Sequence, residues 1–251
     1  MTSERGDGTK FRAISDELRR AILAGEYGPG DRLPGENTLM VEHGVARETA
    51  RKALDVLKHE GLAVARRGSG NFVTAFKPLR RNGIARLSRQ QWGSGRSIWE
   101  ADTENRTLEV ADLLVYRAAC PAHVTRVLSL DPESEVWVRS RVFVLDGKPV
   151  MSATSYLPAD LVEGSPITEA DTGPGGTYAR LGDLGYPPVH FREEIRARMP
   201  LPDEAERLRL SAGVPVIALY RTAYADGGKA VELNEMTLDA ASYILEYAFD
   251  A

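Results

Sequence analysis

Two stretches of this chain, 80 residues apart, follow one pattern. "VTRVLSLDPESEVWVRSRVFVLDGKPVMSATSYL" begins at Val124, and "AERLRLSAGVPVIALYRTAYADGGKAVELNEMTL" begins at Ala205. Leu130 matches Leu210, Val136 matches Val216 and Arg141 matches Arg221, each 80 residues on; Lys148 matches Lys229 one residue later. Each copy reads as a short helix, a turn, a β-rich strand, an Asp-Gly hairpin turn and a returning strand. Two copies are too few for a solenoid. They predict one antiparallel sheet with helices on a face, an α+β domain.

The first hairpin also carries chemistry. Strand alternation puts Arg139 and Arg141 of "VWVRSRVFV" on one side, away from Val138 and Val142. On the returning strand "VMSATSYLP", Ser152, Thr154 and Tyr156 share a side. Guanidiniums beside a hydroxyl row would make a pocket for a phosphate or carboxylate. The other reading of the same residues is a wet sheet face whose arginines pair with acids such as Glu194. "FREEIRARMPLPDEAERLRL", which contains Glu193 and Glu194, reads as a solvated strand and helix.

The front of the chain has a different period. Phe11, Ile14, Leu18 and Ile22 recur at helical spacing, with Thr9 placed to cap and Gly25 to stop. "LPGENTLMVEHG" gives a short second helix closed by Gly44, and "VARETARKALDVLKHEG" a third closed by Gly61. "LAVARRGSGNFVTA" gives two short strands around a Gly-Ser-Gly turn. Helix, helix, tight turn, helix, hairpin is the layout of a winged helix-turn-helix. On the third helix Ala50, Ala53, Leu54 and Leu57 fall on one arc, with Arg47, Arg51 and Lys58 on a narrow ridge beside it. The small residues Ala46, Thr49 and Ala50 would let the start of this helix approach a surface closely. Its start is the end that enters the major groove in such proteins, where an arginine fork matches guanine. Arg66 and Arg67 precede a glycine-rich tip suited to the DNA backbone or minor groove.

Charge separates the regions. Residues 1–77 hold 13 Lys/Arg against 11 Asp/Glu, residues 78–96 hold five Arg and no acid, and residues 97–251 hold 14 against 25. A polar start and the lack of any long apolar run predict an untargeted cytoplasmic protein with no membrane partner. The single cysteine, Cys120, excludes an internal disulfide. The four histidines are scattered without ligand spacing, so no metal site is expected. No catalytic set and no cofactor motif is evident.

"DRLPGENTLMVEHGVARETARKALDVLKHEGLAVARRGSGNFV" resembles the N-terminal domain of the GntR family of bacterial transcription regulators. It carries the Arg-Leu-Pro-x-Glu start, the Arg-x-Thr-x-Arg recognition helix and the Arg-Arg-Gly-x-Gly wing of that family. The resemblance implies that Arg32, Glu36, Arg47, Thr49, Arg51, Arg66, Arg67, Ser69 and Gly70 face DNA. Gly35 and Ala46 stand where the family often has a capping Ser or Thr, a cap contributing about 1 kcal/mol. Behind this module, "VRSRVFVLDGKPVMSATSYLP", "GGTYARLGDLGY" and "AVELNEMTLDAASYILEYAF" resemble the UTRA ligand-binding domain of the HutC subfamily. That domain is chorismate-lyase-like, binds small effectors such as phosphosugars and helps form dimers. The resemblance implies an effector site built from Arg139, Arg141, Thr154, Tyr156, Tyr178 and Glu232. The chain departs from the sugar-phosphate regulators at "LDAASY", where those often read Arg-Gly-Asp-Arg-Tyr.

The resulting expectation is a DNA-binding domain at 1–77, a linker at 78–104 whose arginines are solvated or touch phosphates, and an effector and dimerisation domain at 105–251. Such a protein would be a ligand-responsive transcription regulator, a repressor and not an enzyme. It would bind a pseudo-palindromic operator as a homodimer and respond to a small anionic effector. The alternative is a chorismate-lyase-like enzyme acting on small carboxylated or phosphorylated metabolites.

Overall fold

Ile14 and Leu18 are buried along one face of α1 (Glu4–Leu23), as the helical spacing predicts. The structure, a computed structural model, describes residues 4–249 apart from 67, 75–77, 96–97, 100–102, 104–105 and 212, with side chains from residue 10 onward. The helix starts five residues before Thr9, so Thr9 lies inside it and does not cap it. The chain divides into two compact units, Met1–Lys77 with Ser211–Val214, and Pro78–Leu210 with Pro215–Ala251.

In the first unit α2 (Glu36–His43) ends at Gly44, whose left-handed φ of 57° lets its N–H reach back to the Met40 carbonyl. The third helix, α3 (Arg47–His59), buries Ala50, Ala53, Leu54 and Leu57 against Ile14, Leu18, Leu33 and Leu39. Strands β1 (Ala63–Arg66) and β2 (Gly70–Val73) pair antiparallel, with Arg66 opposite Gly70. The apolar arc read from the sequence is therefore the core seam of a winged helix-turn-helix.

The expected linker is a correction. Residues 79–95 and 98–99 are built into the second unit instead of forming a tether. Strand β3 (Leu79–Asn82) pairs in parallel with β10 (Tyr243–Glu246). Next comes α4 (Arg89–Gly93), whose Trp92 joins a core with Ile98, Leu157, Ile167, Tyr178 and Leu181. Arg81 and Arg86 are 0% and 2% exposed. Burying a guanidinium is tolerable only with partners: Arg81 pairs with Glu193, and Arg86 donates to the Ile98 carbonyl at 3.0 Å. Arg80 stays exposed and pairs with Glu246, while Arg96 lies outside the described residues.

The rest of the second unit is one six-stranded antiparallel sheet. Its strands are β4 (Leu108–Ala119), β5 (Glu135–Leu145), β6 (Lys148–Pro158), β7 (His190–Arg198), β8 (Val216–Tyr224) and β9 (Ala230–Asp239). They lie in the order β4-β5-β6-β9-β8-β7, so the two repeats meet in the middle. The helix before the first hairpin is α5 (Ala122–Leu128). Two further helices, α6 (Ala159–Val162) and α7 (Gly176–Asp183), follow that hairpin, and α8 (Pro202–Arg207) precedes the second. Equivalent residues share backbone shape: Ser129 and Arg209 close α5 and α8 with φ of 55° and 50°, and Gly147 and Gly227 turn the hairpins with φ of 77° and 69°. Thr154 opposes Glu235, flanked by Ser155 opposite Asn234 and Ala153 opposite Met236. That register is what a local two-fold axis through Thr154 and Glu235 produces when one repeat follows the other by 81 residues at this strand. One sheet face packs on α5 through Val124, Leu128, Val136 and Val138. The other receives Trp92, Ile98 and Tyr178.

Candidate functional site

Two places gather the residues singled out in the sequence. The first is a groove in the winged-helix unit lined by Arg32, Glu36, Asn37, Arg47 and Gly70. Gly70 has φ of 109°, and a Cβ there would sit 3.4 Å from Arg32 Nε, so the glycine lets Arg32 pass under the wing. Arg32 also bridges to Phe72 of β2, and the Arg66 guanidinium lies 4.4 Å over the Phe72 ring. Ser69 and Arg51 are exposed. Arg67 lies outside the described residues.

Both cationic residues at the start of α3 already have partners. Arg47 Nε donates to Glu36 at 2.6 Å, and Arg51 donates to Glu48 one turn back. Their side chains are nevertheless 73% and 56% exposed. Exposed pairs of this kind contribute little, screened as they are by solvent and salt, so a phosphate or base can displace the carboxylates at little cost. Neither α2 nor α3 has a side-chain cap, because Gly35 and Ala46 hold the N-cap positions in extended conformation. Uncapped helix starts beside arginines suit an anionic backbone. Thr49 is a correction: it is fully buried on the core side of α3, so its hydroxyl does not face the groove. Ala50 is buried with it, which leaves Ala46 as the small residue at the exposed start of the helix.

The second place is a cavity of about 80 Å³ on the sheet face that carries Trp92 and Tyr178. It is lined by Trp99, Arg141, Tyr178, Arg221, Glu232, Asn234 and the start of α7 at Gly175 to Thr177. Arg139 and Arg141 do share this face, as alternation requires. They do different things there. Arg139 donates to the carbonyls of Ile167 and Ala170 at 2.6 and 3.0 Å and to that of Glu169, which ties down the segment before α7. Its fork is occupied by backbone, a correction to its reading as an anion ligand. Arg141 donates to the Arg139 carbonyl at 3.1 Å and to Ser155 Oγ at 3.2 Å. Burial pushes its pKa down to about 10, against the opposing pull of Glu232, so it stays charged at neutral pH.

Thr154 and Tyr156 are also corrections, because the β5–β6 register pairs Arg139 with Ser155 and Arg141 with Ala153. Directly opposed residues share a face, which sends Ser152, Thr154 and Tyr156 through to the other side of the sheet. There Tyr156 packs edge-on to His123, and Thr154 lines a separate cleft with Arg207 and Glu235. Tyr178 and Glu232 do reach the cavity. Burial drives the Tyr178 phenol well above its usual range; Arg221 opposes this and Glu232 adds to it, though no hydrogen bond of ordinary geometry closes between Tyr178 and Glu232.

The cavity residues that were missed include Arg221 and Asn234. Arg221 is 1% exposed and its guanidinium lies 5.5 Å from the centres of both the Trp99 and Tyr178 rings. Its Nε and Nη1, both amide atoms of Asn234, Tyr178 Oη and Glu232 Oε2 are buried without a hydrogen-bond partner. Leaving such groups unsatisfied costs about 1–3 kcal/mol each, so a cluster of them calls for partners that the chain itself does not supply. The 80-residue match of Arg141 to Arg221 was the available signal. Among the described residues no cluster of His, Cys, Asp or Glu could hold a metal, and no helix is long and apolar enough to cross a membrane.

Comparison with known proteins bears on both places. The family model of the UTRA domain matches residues 103–244, and that of the bacterial regulatory proteins of the gntR family matches residues 10–73. An uncharacterized HTH-type transcriptional regulator of Streptomyces coelicolor is 33% identical, over 89% of this chain and 86% of its own. The mannosyl-D-glycerate transport/metabolism system repressor of Escherichia coli is 25% identical, over 93% of this chain and 92% of its own. The crystal structure of PhnF from Mycobacterium smegmatis shares the fold, with a TM-score of 0.57 and 24% identity over 95% of this chain and 99% of that one.

Proposed function

The chain belongs to the GntR family of bacterial transcription regulators, with a UTRA domain behind its winged helix, and from that premise we propose that a small anion held between Arg141 and Arg221 sets its affinity for DNA. The observation that carries this reading is the set of unsatisfied buried atoms on Arg221, Asn234, Glu232 and Tyr178 around one cavity. Two guanidiniums and the amide end of α7 supply positive potential. Glu232 and Asn234 supply acceptors, so the fitting ligand carries a carboxylate or phosphate together with a hydroxyl or amino group. The cavity binds this effector and does not turn it over.

DNA contact falls to Arg32, Arg47, Arg51, Arg66, Ser69 and Gly70, with Glu36 as the internal partner that Arg47 gives up; Arg67 belongs with them as part of the wing. The protein acts in the cytoplasm as a homodimer on a pseudo-palindromic operator, and as a repressor, like its Escherichia coli relative. The test is a thermal-shift screen of carboxylated and phosphorylated metabolites on the full chain. A stabilising compound should lose its effect in Arg221→Gln and keep it in Thr154→Ala. Stabilisation that survives Arg221→Gln but fails in Thr154→Ala places the ligand on the other face of the sheet.

A further inference from the structure

Glu193 stands directly across from Arg221 in the β7–β8 pairing. Read from the sequence it belonged to a solvated strand, yet its side chain is only 9% exposed. Arg81 grips it with both terminal nitrogens, Nη1 donating at 3.1 Å to Oε2 and Nη2 to Oε1. The Tyr247 hydroxyl donates at 3.1 Å to the same Oε2. Arg221 Nη1 waits 3.9 Å away, too far for a hydrogen bond. One buried carboxylate is therefore shared by two buried guanidiniums. One belongs to the cavity wall; the other sits on β3, the first strand after the DNA-binding unit.

The same segment reaches the cavity a second time. Ile98 and Trp99 line it, and the Trp99 ring lies within 5.6 Å of the guanidiniums of Arg86, Arg141 and Arg221. The stretch that joins the two units in sequence is thus both a wall of the cavity and the holder of Arg81.

We propose that Glu193 relays occupancy of the cavity to this connecting segment: an anion seated on Arg221 engages that guanidinium, and the Glu193 carboxylate passes wholly to Arg81, which fixes β3 against β10. The relay rests on the reading of the cavity as the effector site. In a medium of low dielectric the loss of one of two competing cations is felt strongly by the remaining pair. The change reaches the DNA-binding unit through the chain itself, since Pro78 follows Lys77.

Amide hydrogen exchange on the full-length protein tests the relay without any ligand. Arg221→Gln leaves Arg81 as the sole cation on Glu193 and is expected to slow exchange at Leu79–Asn82 by about threefold or more. Glu193→Gln should speed exchange there, and adding Arg221→Gln to it should change nothing further. Unchanged exchange in Arg221→Gln, or effects of the two substitutions that simply add, overturns the relay. A second measurement covers a failure of Arg221→Gln to fold. Inorganic phosphate, with binding followed by calorimetry, should slow exchange at the same residues in the wild type and leave Glu193→Gln unaffected while still binding to it. Equal slowing in both proteins overturns the relay. Phosphate and the screened anions failing to bind the wild type overturns the cavity reading instead, and the ligand-free exchange result still decides the relay.

Discussion

Arg51 and Thr49 stand two positions apart on α3 and meet opposite surroundings. A helix turns about 100° per residue, so a shift of two carries a side chain from the exposed ridge to the packed seam. Arg51→Ala should weaken binding to a selected DNA duplex by about 1–3 kcal/mol, read by fluorescence anisotropy at fixed salt. Thr49→Ala should instead lower the melting temperature while leaving the preference among duplexes as it was. Residue roles were legible to the extent that periodicity fixes a face. It correctly grouped Arg139 with Arg141 and Ser152 with Thr154 and Tyr156. It said nothing about which group meets the other, because that depends on strand register. Ser155, and not its neighbours, is the hydroxyl beside Arg141.

Elements whose pattern is local were the easier ones to read. The helices of the winged domain, its hairpin and the doubled hairpins of the sheet all follow from spacing and from turn residues such as Asp146-Gly147. The segment 79–99 has no period, and its arginines look solvated by composition. Their partners, Glu193 and the Ile98 carbonyl, are supplied only by tertiary folding. The start of α3 also offers a test at this scale. Ala46 has φ of −65° and ψ of 154°, the backbone shape of a capping residue, with no side chain to accept a hydrogen bond. Ala46→Ser should stabilise the protein by about 0.5–1 kcal/mol, visible as a rise in the melting temperature of the N-terminal unit. No rise would mean that the first turn of α3 is already satisfied by other groups.

Across the molecule, positive charge is concentrated toward the front and in the connecting segment, while residues 97–251 are strongly acidic. Acid is therefore the condition that separates the contributions of the buried pairs. Burial pushes the Glu193 carboxylate up, but the hydrogen bonds and charge of Arg81, the charge of Arg221 and the Tyr247 hydroxyl together outweigh it and hold the group below its ordinary range; Glu204, gripped by Arg198, is lowered too. A lowered folded-state value means stability that is complete above the usual carboxylate pKa of about 4.3 and lost as pH falls below it. Thermal melts from pH 6 to pH 3 should show that loss, and Glu193→Gln should flatten part of it. An identical profile in the variant would mean that the pair contributes no net acid sensitivity.

The axis through Thr154 and Glu235 relates the two hairpins in backbone only. Arg141 has its counterpart in Arg221, but the positions equivalent to Glu232 and Asn234 hold Met151 and Ala153. A guest lying over that axis meets matching cations from both halves and acceptors from one, so it can settle in a single heading. Selectivity can then drift by changes confined to the later hairpin, while the earlier one goes on anchoring the loop before α7.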